Sequence, residues 1–106
     1  MKQTSSLTQS LSDAQERRAL NQSTRFRIYT QDQPFLQTTV DKYFKSYCIK
    51  GVDGVYRGDN EAGAIIEILG PASDRLKVVS LAKDIKSAYK QDTVLVTHEP
   101  VNRIDI

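Results

Sequence analysis

One cysteine, one histidine and no long apolar run are the scarcities that matter most in this chain. With Cys48 alone, no intrachain disulfide can form. Cys48 and His98 together supply too few strong ligands for a zinc centre. No metal and no cofactor is therefore expected. No stretch approaches the roughly 18–20 apolar residues that cross a bilayer, so no membrane partner is expected. The opening MKQTSSLTQS lacks the apolar core of a secretory signal, which gives the expectation of a cytoplasmic location. A net charge of +2 is not the concentrated basic excess of a dedicated nucleic-acid binder. It neither demands nor excludes an anionic partner. Gly70-Pro71-Ala72-Ser73 lacks the spacing of a phosphate-binding loop, and its proline removes an amide donor.

What remains is a chain of 106 residues with ordinary charged and apolar fractions, long enough for one domain with a modest core. Residues 1–22 read as a flexible arm. Residues 1–11 are Ser, Thr and Gln with almost nothing bulky to bury. Ser12-Asp13-Ala14-Gln15 has the form of a capping box, which predicts a short helix over 13–20. Residues 23–106 read as the folded body.

Within the body, residues 24–31 (TRFRIYTQ) alternate, with Phe26 and Ile28 on one side and Arg25, Arg27 and Tyr29 on the other. Asp32-Gln33-Pro34 predicts a helix start. Leu36, Val40, Tyr43, Phe44 and Tyr47 then repeat at helical spacing, with Gly51 as the residue that ends the helix. Residues 52–57 and 62–69 predict a β-hairpin around a tight turn at Gly58-Asp59-Asn60, the second strand being near-continuously apolar. Ser73 or Asp74 caps a second helix with a stripe at Val78, Leu81, Ala82, Ile85 and Tyr89. Residues 93–98 predict a last strand ended by Pro100, with the tail 101–106 free to extend an edge. The order β-α-β-β-α-β predicts an α+β fold of ferredoxin-like type. Two helices cover one face of a four-stranded antiparallel sheet, in the order fourth-first-third-second.

That layout decides which residues meet. The open sheet face would carry Arg25, Arg27 and Tyr29 beside Ile65, Glu67 and Leu69, with Arg27 and Glu67 as a cross-strand pair. Such a mixture predicts a face covered by the arm, the tail or a second copy, the last giving a homodimer through the open face. RNA binding there would need stacked aromatics on both central strands, and the third strand has none. The hairpin crowds Tyr56, Arg57, Asp59, Asn60 and Glu61 around one turn, more polar side chains than turn geometry requires. Cys48, Ser73, His98 and Glu99 fall at one end of the sheet, but no oxyanion loop or third orienting group accompanies them, so no catalytic residue is assigned. Lys83, Lys86 and Lys90 on the second helix, with Lys42 and Lys45 on the first, read as solvated helix backs.

Gly54-Val55-Tyr56-Arg57-Gly58-Asp59-Asn60-Glu61 resembles a G-x-Y-x-G-x-x-E pattern in small uncharacterised proteins of phages and mobile elements, where it lies between an amphipathic helix and an apolar strand. Gln91-Asp92-Thr93-Val94-Leu95-Val96 is similar to their late strand. The resemblance implies a ferredoxin-like body and a phage setting, in which small inhibitors of host defence are common.

The functional expectation is a non-enzymatic protein-interaction module, a phage-encoded inhibitor or modulator of a host defence complex. Its binding surface would be Tyr56, Arg57, Asp59, Asn60 and Glu61 with Arg25, Arg27 and Tyr29. The first alternative is a small-ligand or nucleotide-binding oligomer with ligand held between subunits. The second is a weak nucleic-acid-binding protein.

Overall fold

A computed structural model describes residues 22–106. The helix expected over 13–20 and the flexibility expected of the arm lie outside the described residues. Four strands, β1 (Gln22–Gln31), β2 (Cys48–Tyr56), β3 (Asp59–Gly70) and β4 (Leu95–Asn102), alternate with helices α1 (Leu36–Asp41) and α2 (Arg75–Ala88) in the order β1-α1-β2-β3-α2-β4. The sheet order is β2-β3-β1-β4, and each neighbouring pair is antiparallel. This is the α+β arrangement expected from the sequence, with β1 and β3 in the centre.

The period-2 pattern of the central strands explains which face is covered. Phe26 and Ile28 of β1 pair with Ile68 and Ile66 of β3, and all four are buried. They join Val78, Leu81, Ala82 and Ile85 of α2, and Leu36, Val40 and Phe44 from the α1 region, in one core. Tyr43, Tyr47 and Tyr89 pack at its margin. The alternate residues, Arg25, Arg27 and Tyr29 against Leu69, Glu67 and Ile65, face away from the helices.

Three boundaries differ from the sequence reading, each for a physical reason. The first helix is short. It begins after Phe35, whose φ of 65° is left-handed, rather than at Asp32-Gln33-Pro34, and ends at Asp41. Six residues are too few to be stable alone, and Thr38, Thr39 and Val40 are β-branched. One further turn, closed by Tyr43 N–H and Phe44 N–H to Val40 O, keeps the apolar stripe on the core. Residues 48–51 instead find ladder partners on β3: Cys48 opposite Glu67, Gly51 opposite Ala64. Gly51 is thus a mid-strand residue, not a helix terminator.

The hairpin turn lies one residue earlier than expected. Tyr56 pairs with Asp59, leaving Arg57 (φ 51°) and Gly58 (φ 84°) as its two central residues. Two positive φ angles are the signature of the tight hairpin turn whose twist matches the strands, and Gly58 adopts this without strain. Finally, β4 runs through Pro100, which lies opposite Thr24, to Asn102. An edge strand tolerates proline, because the missing N–H can fall on the side with no neighbour.

The turn after α1 is tied down by phenols. Tyr43 O–H donates to Asp84 Oδ2 on α2 at 3.1 Å. Tyr47 O–H donates to Asp41, and this hydrogen bond to the carboxylate, with some desolvation, pushes the Tyr47 phenol up to about 12. A raised phenol favours the folded state while it stays protonated. The contribution is complete below the unfolded value near 10 and is lost as pH rises towards 12. The Asp84 hydrogen bond raises the Tyr43 phenol as well, so an ultraviolet titration of the folded protein is expected to show late-ionising tyrosine, the latest of which Tyr47→Phe removes. All phenols ionising together in the wild type would show that the contact does not form.

Candidate functional site

The site begins at the end of α2. Lys90 takes a left-handed φ of 51°, and Gln91 N–H reaches back to Lys86 O at 3.0 Å, the bonding of a Schellman-type cap. This turn aims the Gln91 side chain at the end of β1. Gln91 Oε1 accepts from the Thr30 hydroxyl at 2.9 Å and from Gln31 N–H at 3.2 Å, and Gln91 Nε2 donates to Thr30 Oγ1 at 2.6 Å. Thr30 occupies an inward position on β1, so its polar group needs such a partner. The same bonds hold the segment leading into β4 against the sheet.

Between that segment and the base of the β2–β3 hairpin lies a groove of about 400 Å³. Tyr29, Gln31, Glu61 and Gly63 line it from β1 and β3, Val52, Gly54, Val55 and Tyr56 from β2, and Asp92, Thr93 and Leu95 from the segment that leads into β4. Gln31 Nε2 lies 3.4 Å from both Glu61 carboxylate oxygens, which draws β1 and β3 together beneath the groove. The apolar walls are open to solvent: Val55 is 70% exposed and Leu95 55%.

Of the residues marked in the sequence, Tyr29, Tyr56 and Glu61 come together in this groove. Arg57 stacks its guanidinium over the Tyr56 ring, 5.1 Å from the centroid, at the rim. Asp59 begins β3 opposite Tyr56. Asn60 lines a second hollow of about 390 Å³ with Asp53, Val55 and Ala62. Arg25 and Arg27 are placed elsewhere, in an ion-pair network on the open face. Arg27 Nε binds Glu67 Oε2 at 3.0 Å and Arg25 Nη1 binds Glu99 Oε1 at 3.0 Å. Longer contacts join Arg25 to Glu67 (3.6 Å) and Arg27 to Glu99 (3.8 Å). The Glu67 hydrogen bond raises the Arg27 pKa further above its ordinary value. The expected Arg27–Glu67 cross-strand pair is present.

Cys48 and His98 do not meet. Cys48 is exposed on edge strand β2, opposite Glu67, whereas His98 on edge strand β4 lies opposite Phe26 with ring centroids 6.4 Å apart. They occupy opposite edges and opposite faces, with two strands and about 14 Å of sheet between them. Among the described residues, no three His, Cys, Asp or Glu side chains gather as a metal-ligand group, and no helix is long and apolar enough to cross a membrane.

Gln91, Leu95 and Val52 were not marked in the sequence as site residues. The available signal was Thr30, a polar residue at the inward parity of a core strand, which requires a polar partner arriving from a distant segment.

The strand order, the one-sided helices and the extended β2–β3 hairpin define the ferredoxin-like class of α+β folds. No family model and no curated protein matches the chain. Solved structures do match in fold. A DUF3240 family protein from Shewanella baltica superposes with a TM-score of 0.59 and 12% identity, covering 79% of this chain and 94% of that one. CPII from Thiomonas intermedia, a nitrogen regulatory PII-like protein bound to ADP, AMP and bicarbonate, gives 0.57 and 16% over 80% of this chain and 96% of that one. A phage SAM lyase in its apo state gives 0.54 and 18% over 76% of this chain and 82% of that one. At these identities the likeness is one of fold. A phage protein is thus among the fold neighbours of this chain.

Proposed function

We propose that this protein is a small-ligand-binding module that acts as an oligomer, with the groove between the hairpin base and residues 91–95 as its ligand site. The groove itself carries the reading. It is a concavity of about 400 Å³ in which apolar walls face convergent polar groups, the usual composition of a small-molecule site. Tyr29 and Tyr56 offer ring surface for stacking, and Gln31 and Glu61 offer hydrogen-bonding groups. An adenosine-type ligand has support from two neighbours, one described as bound to ADP and AMP and the other as a SAM lyase. The open face, with half-exposed Leu69 and Leu95 around the arginine–glutamate network, is the surface proposed for subunit contact.

Gly54 gives a direct test. A Cβ there meets only Glu61 O, at an ordinary 3.6 Å, so a side chain can be added without backbone strain. Gly54→Leu is expected to fill the groove and abolish the thermal shift given by AMP, ADP or S-adenosylmethionine. The ligand-free melting temperature should stay within a few degrees of wild type. For wild type, a ligand at about 100 times its Kd adds about 2.7 kcal/mol, roughly 10 °C or more for a domain this size. No shift with any of the three, together with strictly monomeric sedimentation, would sink the reading.

The interaction-module reading stands second. The hairpin tip favours it, since Val55 is largely exposed and Arg57 and Tyr56 form a stacked pair beside it. A host protein captured by the wild type but not by Arg57→Ala, with no small-ligand shift, would put it first.

A further inference from the structure

The charge of the groove narrows its ligand further, on the reading that the groove is the ligand site. Its lining holds two carboxylates, Glu61 and Asp92, and among the described residues no Lys, Arg or His. Neither carboxylate is in an ion pair among the described residues. Glu61 is touched by the neutral Gln31 amide. Two arginines beside the groove-lining residues Tyr56 and Tyr29 are otherwise engaged. Arg57 packs over the Tyr56 ring at the rim, and Arg27 is bound by Glu67 and Glu99. A di- or triphosphate placed here would face carboxylates with no lining cation to neutralise it, which is repulsive. A cation in the groove would lie among two carboxylates and two tyrosines, Tyr29 and Tyr56, and carboxylate and aromatic ring each favour positive charge.

We infer that the groove selects a ligand combining a flat ring with a positive charge, such as a sulfonium or quaternary ammonium, over one carrying phosphate. Stacking on tyrosine selects the ring, and the unneutralised carboxylates select the charge. Both interactions are partly solvent-exposed, so the preference is modest per contact and depends on salt.

Calorimetric titration of the full chain with S-adenosylmethionine, S-adenosylhomocysteine and ADP isolates the charge. The first two share every group except the methyl that makes the sulfur cationic. S-adenosylmethionine is expected to bind at least about fivefold tighter than S-adenosylhomocysteine, and ADP weakest of the three. Glu61→Gln keeps the shape and the acceptor for Gln31, and is expected to shrink the gap, as is Asp92→Asn. ADP binding as tightly as S-adenosylmethionine, or a gap unchanged in both variants, overturns the charge inference while leaving the groove as a ligand site. Binding of none of the three removes the ligand site and the inference with it.

Discussion

Phe26→Ala is expected to lower the unfolding free energy by about 3–5 kcal/mol, the usual cost of truncating a buried phenylalanine. Phe26 is 1% exposed on a central strand, with Ile68 opposite it on β3 and His98 opposite it on β4. The cavity left behind cannot close easily, because its walls are ladder-bound strands on one side and the α2 face of Val78, Leu81 and Ile85 on the other. A domain of this size has a total stability of about 5–15 kcal/mol, so the loss is a large share of it. The melting temperature should fall by on the order of 20 °C. Leu69→Ala is the control. Leu69 lies one residue beyond Ile68 on β3, but on the open face at 47% exposure. Its truncation should cost about 1 kcal/mol or less in the isolated subunit. Equal losses in the two urea unfolding curves would mean that the helices do not cover the Phe26 face.

The readable part of this fold was the part governed by periodicity. In β1 strict alternation meets a one-sided core, so Phe26 and Ile28 announce both the strand and its buried face, while in the near-continuously apolar β3 the paired Glu67 marks the outward parity and leaves Ile66 and Ile68 inward. A register slip would reverse every side chain. The α2 stripe was equally plain because fourteen residues give it several turns. The region 36–51 was not, because its pattern is honestly helical while its length is not. Leu36, Val40, Tyr43, Phe44 and Tyr47 all reach the core or its margin, yet only Leu36–Asp41 is helix. Local pattern fixed which residues face inward. The choice between helix and strand for residues 48–51 was made by β3, whose length offers them ladder partners, and that is a non-local energy.

The candidate site was legible in halves. Tyr56 and Glu61 could be marked from polar crowding around the turn, and Tyr29 from its parity on β1. What the sequence hides is the opposite wall, because residues 91–95 reach the groove only through the cap at Lys90 and the side chain of Gln91. Arg25 and Arg27 show the converse. Two arginines alternating on an open face look like ligand contacts until Glu67 and Glu99 are placed across from them, one from each neighbouring strand. Pairing across strands is what converts an apparent binding charge into a structural one.

Gln91→Ala should therefore have an effect beyond its own side chain, costing about 2–4 kcal/mol and weakening ligand binding as well. Gln91 is only 9% exposed, and its amide serves the Thr30 hydroxyl and Gln31 N–H together. Removing it leaves two polar groups short of a partner at the end of β1, each costing about 1–3 kcal/mol where water cannot reach, with some relief from solvent at the margin. The β1–β4 ladder ends at Tyr29 opposite Leu95, so no strand partner stands by for Gln31 N–H. Its amide should exchange faster with solvent in the variant, while the Ile28 amide in the core stays protected. Thr30→Val combined with Gln91→Met removes the paired polar groups together, and should recover part of the loss through a coupling of about 0.5–3 kcal/mol. The double variant still lacks the bond that holds residues 91–95 to β1 and leaves Gln31 N–H unpaired, so ligand binding should stay weak even where stability is partly recovered. A Gln91→Ala protein within about 0.5 kcal/mol of wild type, with its Gln31 amide still protected, would show that the groove's second wall is held by something other than this side chain.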